Sequence, residues 1–136
     1  MDINSIISHC KSLSFYDLQD YAGRNFNIVY DYIKYNKGAN PNDILVPSIF
    51  TCIAVDGRLE SKEWDFIASF IGNHSYDEAF NKASEFNCVE AQDIVRKLAN
   101  FFPTEIKEAY VKMCIAVLCV DDRVNSLESS FLYSLI

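Results

Sequence analysis

Two short acidic segments carry the residues of this chain that are best suited to chemistry. The first reads AVDGRLESKE over residues 54–63, and the second reads CVDDRVNSLE over residues 119–128. Each holds an Asp and, seven residues later, a Glu, and hard oxygen ligands grouped in this way are typical of divalent-cation sites. An ungapped alignment of the segments gives identical pairs at Val55/Val120, Asp56/Asp121, Arg58/Arg123, Ser61/Ser126, Glu63/Glu128 and Phe66/Phe131.

The two aspartates, Asp56 and Asp121, each follow a long apolar run that predicts a helix. The C-terminal end of a helix is the negative end of its dipole, so a carboxylate there is unfavourable by a few tenths of a kcal/mol or more. A positive charge should therefore lie close to each aspartate. Arg58 and Arg123, two residues farther on, are the local candidates, and a bound cation is the alternative.

The two glutamates, Glu63 and Glu128, fall in the first turn of the following helix, where the dipole favours a carboxylate. Asn125 and Glu128 also have the spacing of a capping box, in which the Glu side chain reaches back to the backbone amide of the Asn. In the first copy, Glu60 occupies the cap position, for which Glu is a poor residue. Both a capping role and a ligand role are therefore open to the glutamates.

The first segment also matches the second half of an EF-hand loop, with Asp at loop position five, Gly at six and Glu at twelve. Positions one and three would be Cys52 and Ala54, or Val117 and Cys119 in the second copy, and none of these is a carboxylate. Neither turn is a complete site alone. A bound ion would need ligands from both turns, backbone carbonyls and water, and packing of the two hairpins about a pseudo-twofold axis would bring the carboxylates together.

Composition limits the classes of protein and partner. The 136 residues are half hydrophobic, which favours one domain with one core, and the net charge of -7 without a basic stripe argues against nucleic acid. Five cysteines without a CxxC pair indicate a reducing compartment, and Cys52, Cys114 and Cys119 are expected to be buried. The N-terminus lacks a signal-peptide pattern, and the longest apolar run, 113–120, is too short to cross a bilayer. We therefore expect a soluble cytoplasmic protein without membrane insertion.

Enzymatic signatures are weak in this sequence. His9 and His74 are the two histidines, and neither has triad-like or metalloprotease spacing to an acidic residue. The sequence contains no P-loop, no GxSxG motif and no dinucleotide fingerprint. Paired carboxylates without an identified substrate cleft are a poor indication of hydrolysis. We therefore expect a protein that is not an enzyme.

The elements that must position the acidic segments are all predicted to be helices. Gly is rare, Pro occurs only at 41, 47 and 103, and no segment alternates with period two. The pattern predicts an all-α single compact bundle of seven to eight helices, with two pseudo-symmetric helix-turn-helix hairpins around the acidic turns. Residues 1–39 form N-terminal helices and 40–136 the duplicated hairpin core. The predicted helices cover residues 3–13, 14–35, 40–55, 60–71, 75–86, 87–101, 103–120 and 125–136.

The second predicted helix is rich in aromatic residues. Ser14 is its expected N-cap, and the pair Lys37 and Gly38 is its expected end. A stripe of large side chains recurs at helical spacing, and such a stripe indicates core packing rather than a ligand platform. The stripe consists of Phe15, Leu18, Tyr21, Ala22, Phe26, Val29, Tyr30 and Ile33.

Residues 40–136 resemble the tellurite-resistance TerB-like family, which also includes the N-terminal domain of membrane-anchored, DjlA-type J-domain co-chaperones. The resemblance rests on an apolar helix ending in Ala-x-Asp-Gly, then an aliphatic residue, a Glu and an aromatic, and its most specific part is AVDGRLESKEWDFI. It implies an all-helical bacterial module that binds divalent metal through acidic residues and serves in stress-response assemblies without catalysis.

Carried over by position, the resemblance assigns the metal ligands to Asp56, Glu63, Asp121 and Glu128, with Glu60 and Asp122 nearby. The ion would be Ca²⁺, Mg²⁺, Mn²⁺ or Zn²⁺. The second copy departs from the pattern, with Asp122 in the place of Gly57 and Asn125 in the place of Glu60.

A metal-free interaction domain is the alternative to a metal-binding module. In that case Arg58, Arg123 and helix caps hold the carboxylates, and the acidic surface or the Tyr-rich helix over 14–35 docks another protein. Either hypothesis makes another protein the expected partner.

Overall fold

The computed structural model describes residues 2–36, 38, 40, 41, 45, 48, 49, 61–71, 77, 81, 88–120 and 132–135, with the backbone alone at 61–63, 70, 71 and 88. Every element bounded within this part of the chain is a helix, which confirms the all-α prediction. The helices are α1 (Ile3–Ser12), α2 (Phe15–Asn36), α3 (Ser61–Ile71), α4 (Cys88–Phe101) and α5 (Thr104–Cys119).

Helix α1 is fixed at both ends by short-range hydrogen bonds. The Asp2 carboxylate caps the N-terminus, where its Oδ1 accepts from the backbone N–H groups of Asn4 (3.0 Å) and Ser5 (3.4 Å). The Ser5 hydroxyl donates to Asp2 Oδ2 at 2.8 Å. Bonds to Ser5 lower the pKa of the Asp2 carboxyl, because they stabilise its charged form. At the other end, the Leu13 N–H donates to the Cys10 carbonyl at 3.2 Å, and the chain leaves the helix.

Helix α2 begins and ends where the sequence predicts. The Ser14 hydroxyl accepts from the Asp17 N–H at 3.2 Å, as an N-cap does. The helix ends at Asn36, and Gly38 follows with φ of 63°. A Cβ built on Gly38 would meet nothing within 4 Å, so the left-handed backbone rather than lack of space favours glycine there.

The predicted aromatic stripe of α2 does face the core. Phe15, Tyr21 and Tyr30 are partly buried and pack against the core, as expected for the edges of such a stripe. The prediction of a packing face is therefore confirmed for α2. The buried members of the stripe are Leu18, Ala22, Phe26, Val29 and Ile33.

Helix α5 lies at the centre of the described structure. Between Ala109 and Val120, every side chain except that of Lys112 is buried. Helices α1, α2, α3 and α4 all pack against α5, and the α2–α5 interface is the largest. A helical segment with apolar side chains on nearly all sides is expected to be surrounded by other helices. No described helix has the length and apolar character that crossing a bilayer requires.

Three more helical segments predicted from the sequence lie largely outside the described residues. Of the segment 40–55, positions 41, 45, 48 and 49 are helical, and Leu45 and Ile49 belong to the core. Positions 77 and 81 are helical in the segment 75–86, and 132 and 133 in the segment 125–136. The bundle of seven to eight helices with two hairpins, and the division at residue 39, therefore stay predictions.

Candidate functional site

Most of the predicted ligands lie outside the described residues. They are Asp56, Glu60, Asp121, Asp122 and Glu128. Glu63 is the third residue of α3, where the backbone alone is described, and its place in the first helical turn is the one predicted. Among the residues that the structure describes, no three His, Cys, Asp or Glu side chains form a group that could hold a metal ion. The acidic metal site thus stays a prediction.

One helix end next to each acidic turn is described. Helix α3 begins at Ser61, five residues after Asp56. Helix α5 ends at Cys119, two residues before Asp121. The last carbonyls of an α-helix have no partner within the helix, so the end of α5 offers backbone oxygens next to the second acidic turn.

Phe15, the first residue of α2, contacts the middle of α3 and borders the end of α5. Its ring contacts that of Phe66 on α3, with centroids 5.7 Å apart and an interplanar angle of 76°. Phe15 also lines a cavity of about 190 Å³ together with Cys119 and Val120. Phe66 lies three residues after Glu63, about 4.5 Å along the helix axis. Phe15 therefore links the middle of α3 with the end of α5.

A side-chain hydrogen bond joins this part of α3 to α2. The Gln19 side chain of α2 donates from Nε2 to the Phe66 carbonyl at 3.4 Å. Within α3, the Ser69 hydroxyl donates to the same carbonyl at 2.8 Å. Since the Phe66 side chain is fully buried, the α2–α3 contact combines apolar packing with a hydrogen bond to one backbone oxygen.

The cavity at this end contains two thiols that the sequence did not pair. Cys10, in the last turn of α1, and Cys119, the last residue of α5, both line it. The neighbouring Cys119 side chain lowers the pKa of the Cys10 thiol, and burial acts in the opposite direction. Burial of Cys114 and Cys119 confirms the prediction for those residues, and Cys52 lies outside the described part.

A signal for one of the two thiols was present in the sequence. The buried positions of α1 are Ile3, Ile6, Ile7 and Cys10, which recur at helical spacing, so Cys10 is placed on the core face of the helix. The partner of Cys10 could not be found in this way, because nothing local connects it to a residue more than a hundred positions away.

Tyr21 of α2 lies near the same end of α1. Its ring centroid is 5.3 Å from that of His9, an exposed histidine; His74 lies outside the described residues. Burial raises the pKa of the Tyr21 phenol to about 12, with smaller contributions in the same direction from Cys10 and Glu108 and an opposing one from Arg24. The phenol is therefore kept neutral far above physiological pH.

The raised pKa of Tyr21 predicts a specific alkaline transition. Unfolding returns the phenol to its ordinary pKa of 10, so its contribution to stability is complete below pH 10 and is lost as the pH rises to about 12. We expect the tyrosinate absorbance of the native protein to contain a late-titrating component near pH 12. The Tyr21→Phe variant should lack that component, and a wild-type spectrum in which all tyrosines ionise together near pH 10 would contradict the assignment.

A shallow groove runs between α2 and α3. It is open to solvent, has a volume of about 500 Å³, and includes an exposed ion pair in which Arg24 Nε lies 3.1 Å from Asp20 Oδ2. Tyr16 at its edge is 78% exposed. The groove is polar and lies on the surface, so it lacks the enclosure of a typical small-molecule site. Its described lining is Tyr16, Gln19, Asp20, Gly23, Arg24, Asn27 and Ser69.

No family model, no curated protein and no solved structure matches this chain.

Proposed function

We propose that this chain is a non-enzymatic, TerB-like helical module of a stress-response system that binds a divalent cation between its two acidic turns. The observation that carries the proposal is the position of Phe15, which contacts Phe66 of α3 and lines a cavity with Cys119 and Val120 of α5. Phe15 thus contacts the helix that follows the first acidic turn in sequence and borders the end of the helix that precedes the second.

The proposed ligands are the carboxylates of Asp56, Glu63, Asp121 and Glu128, with Glu60 and Asp122 as further oxygen donors. Four carboxylates drawn together repel one another unless a proton, an arginine or a metal ion compensates their charge. A divalent cation compensates several carboxylates at once.

The backbone supports the same proposal. The final carbonyls of an α-helix lack partners within the helix, and α5 ends at Cys119, two residues before Asp121 in sequence. Calcium sites in proteins combine carboxylates with backbone carbonyls and water at about 2.3 to 2.6 Å. An all-oxygen donor set of this kind suits Ca²⁺, Mg²⁺ or Mn²⁺, and Zn²⁺ also accepts carboxylate ligands.

Thermal unfolding with and without divalent ions tests the proposal. An ion that binds the folded state alone, at about a hundred times its Kd, should add about 2.7 kcal/mol to the free energy of unfolding. For a chain of this size we expect a rise in Tm of roughly 10 °C. The measurement compares EDTA with Ca²⁺, Mg²⁺, Mn²⁺ and Zn²⁺ in turn.

The Asp56→Asn/Asp121→Asn double variant should lose the ion-dependent rise in Tm. A matched control is Asp31→Asn/Asp65→Asn, which removes the same charge from two exposed positions on α2 and α3 and should keep the rise. If no ion raises the Tm of the wild type above that of the Asp56→Asn/Asp121→Asn variant, metal binding at the turns is excluded.

A second candidate is the metal-free interaction domain, and the surface of α2 favours it. Tyr16 and Tyr35 are 78% and 73% exposed, although the other described aromatic residues of α2 pack inwards. Exposed tyrosines are common anchors of protein interfaces, because they bury a large area at low conformational cost. In this case Arg58 and Arg123 compensate Asp56 and Asp121.

The two candidates differ in their response to substitution on α2. A Tyr16→Ala/Tyr35→Ala variant should keep any ion-dependent rise in Tm, since both residues lie on the described surface away from the acidic turns in sequence. The metal-free domain is favoured by two results together. The variant keeps its Tm but no longer binds a protein partner, and the wild type keeps that partner in EDTA. If EDTA alone releases the partner, the metal-binding module is favoured.

A further inference from the structure

Two cysteines from distant parts of the chain lie side by side at the end of the molecule where α1 and α5 both terminate. Cys10 belongs to the last turn of α1, and Cys119 is the last residue of α5. Both residues line one small cavity, and they are 1% and 5% exposed. A disulfide between them would bridge this space between the ends of α1 and α5.

The pair is buried from bulk solvent but borders an internal space. Both sulfur-bearing residues line the cavity of about 190 Å³, and its other described lining residues include Lys11, Phe15 and Val120. A cavity of this size admits one end of a small thiol reagent. The Lys11 ammonium group at its edge attracts reagents that carry carboxylates, such as a glutathione-type disulfide.

Cys114, the third cysteine whose side chain the structure describes, provides an internal comparison. It is fully buried on α5, five residues before Cys119, and is not among the described residues that line the cavity. Burial without such access leaves a thiol inert, whereas Cys10 and Cys119 both border the cavity.

We propose that Cys10 and Cys119 are a redox-modification site that forms a reversible intramolecular disulfide by exchange with a small-molecule disulfide. The Cys10 thiolate attacks one sulfur of the reagent, which forms a mixed disulfide and releases one reagent thiolate. The Cys119 thiolate then attacks the Cys10 sulfur, which forms the Cys10–Cys119 bond and releases the second reagent thiolate. The two protein thiols are oxidised, the reagent is reduced to two thiols, and the two protons pass to the departing thiolates.

The order of attack follows from the environment of the two sulfurs. Interaction with the Cys119 side chain lowers the pKa of the Cys10 thiol, and a larger thiolate fraction favours Cys10, which lines the cavity, as the attacking group. The neighbouring thiol of Cys119 is then correctly placed to resolve the mixed disulfide. A disulfide at this place joins positions 10 and 119, so it closes a loop of about 110 residues and restricts the unfolded chain strongly.

The test uses the full chain in the presence of EDTA, equilibrated natively with mixtures of oxidised and reduced glutathione. Remaining thiols are alkylated after an acid quench, and the peptides are identified by mass spectrometry. We expect a linked peptide that contains Cys10 and Cys119, with Cys114 alkylated, and a Tm higher than that of the reduced protein by roughly 10 °C. Excess dithiothreitol should reverse both changes.

Two variants complete the design. Cys114→Ala retains the pair, so it should still form the linked peptide and show the rise in Tm. Cys10→Ser should show neither change. Its Tm in oxidised glutathione is compared with the Tm of the same variant in its reduced form. Because the decisive reading comes from the wild-type peptide map, the test holds even if Cys10→Ser folds poorly.

Three outcomes would overturn the proposal. Cys10 and Cys119 could both stay reduced, and therefore both be alkylated after the quench, when oxidised glutathione is in large excess. The oxidised protein could accumulate only a mixed disulfide with glutathione, or the linked peptide could join a different pair of cysteines. Since EDTA is present throughout, none of these outcomes depends on whether the acidic turns bind a metal.

Discussion

Replacing Ala116 with glutamate should abolish the cooperative unfolding transition of this protein. Ala116 is fully buried on α5, and its neighbours Ile115 and Val117 are buried as well. A carboxylate taken into such surroundings costs several kcal/mol even after relaxation, and the added volume costs about 1 to 3 kcal/mol more. The total is comparable to the whole stability of a domain, about 5 to 15 kcal/mol. Near-ultraviolet circular dichroism during heating measures the loss.

Two controls separate charge from size and from position in this experiment. Ala116→Leu adds volume without charge and should lower stability by about 1 to 3 kcal/mol while keeping a cooperative transition. Lys112→Gln changes the one partly exposed position between Ala109 and Val120, where Lys112 Nζ lies 3.2 Å from Glu108 Oε1, and should cost about 1 kcal/mol or less. If Ala116→Glu melts cooperatively near the wild-type temperature, α5 is not the central helix of the fold.

Phe66→Ala should lower the free energy of unfolding by about 3 to 5 kcal/mol, the range for removing a buried aromatic ring. Phe66 is fully buried on α3 and packs edge-on against Phe15 at 5.7 Å. Helix α3 packs mainly on α2 and less extensively on α5, so the loss of this ring weakens its main attachment to the rest of the structure. Urea denaturation followed by circular dichroism gives the change in stability.

A double-variant cycle with Phe15→Ala isolates the aromatic pair. The coupling between Phe15 and Phe66 should be about 0.5 to 1.5 kcal/mol, and Phe15→Ala alone should cost less than Phe66→Ala, because Phe15 is only partly buried. Phe101→Ala, at a position that is 58% exposed, is the control and should cost little. Additive effects of the Phe15 and Phe66 substitutions would show that the two rings do not stabilise each other.

The sequence predicted the helices well because their signals are local. Ser14 caps α2, and the predicted helices over 60–71, 87–101 and 103–120 correspond to α3, α4 and α5 with ends that agree within about one residue. Caps, prolines and apolar periodicity each act within a few residues, so they can be recognised without knowledge of the fold. The inward stripe of α2 was predictable for the same reason.

The candidate sites depend on contacts that no local signal encodes. The pairing of Cys10 with Cys119 arises because α1 and α5 end at the same place, which only the packing of two helices separated by α2, α3 and α4 can determine. The proximity of Phe15, Phe66 and Val120 has the same origin. Types and spacings of residues therefore predicted candidate ligands, but could not predict which distant side chains face each other.

The central position of α5 also has a consequence for synthesis of the chain on the ribosome. Helices α1 to α4 all lie earlier in the sequence than α5, and all four pack against it. Their apolar faces therefore leave the ribosome before the surface that covers them exists, and hydrophobic surface exposed in this way is prone to aggregation. The nascent chain has to stay collapsed or shielded until residues 104–119 emerge, and stable folding then becomes possible in a single late step.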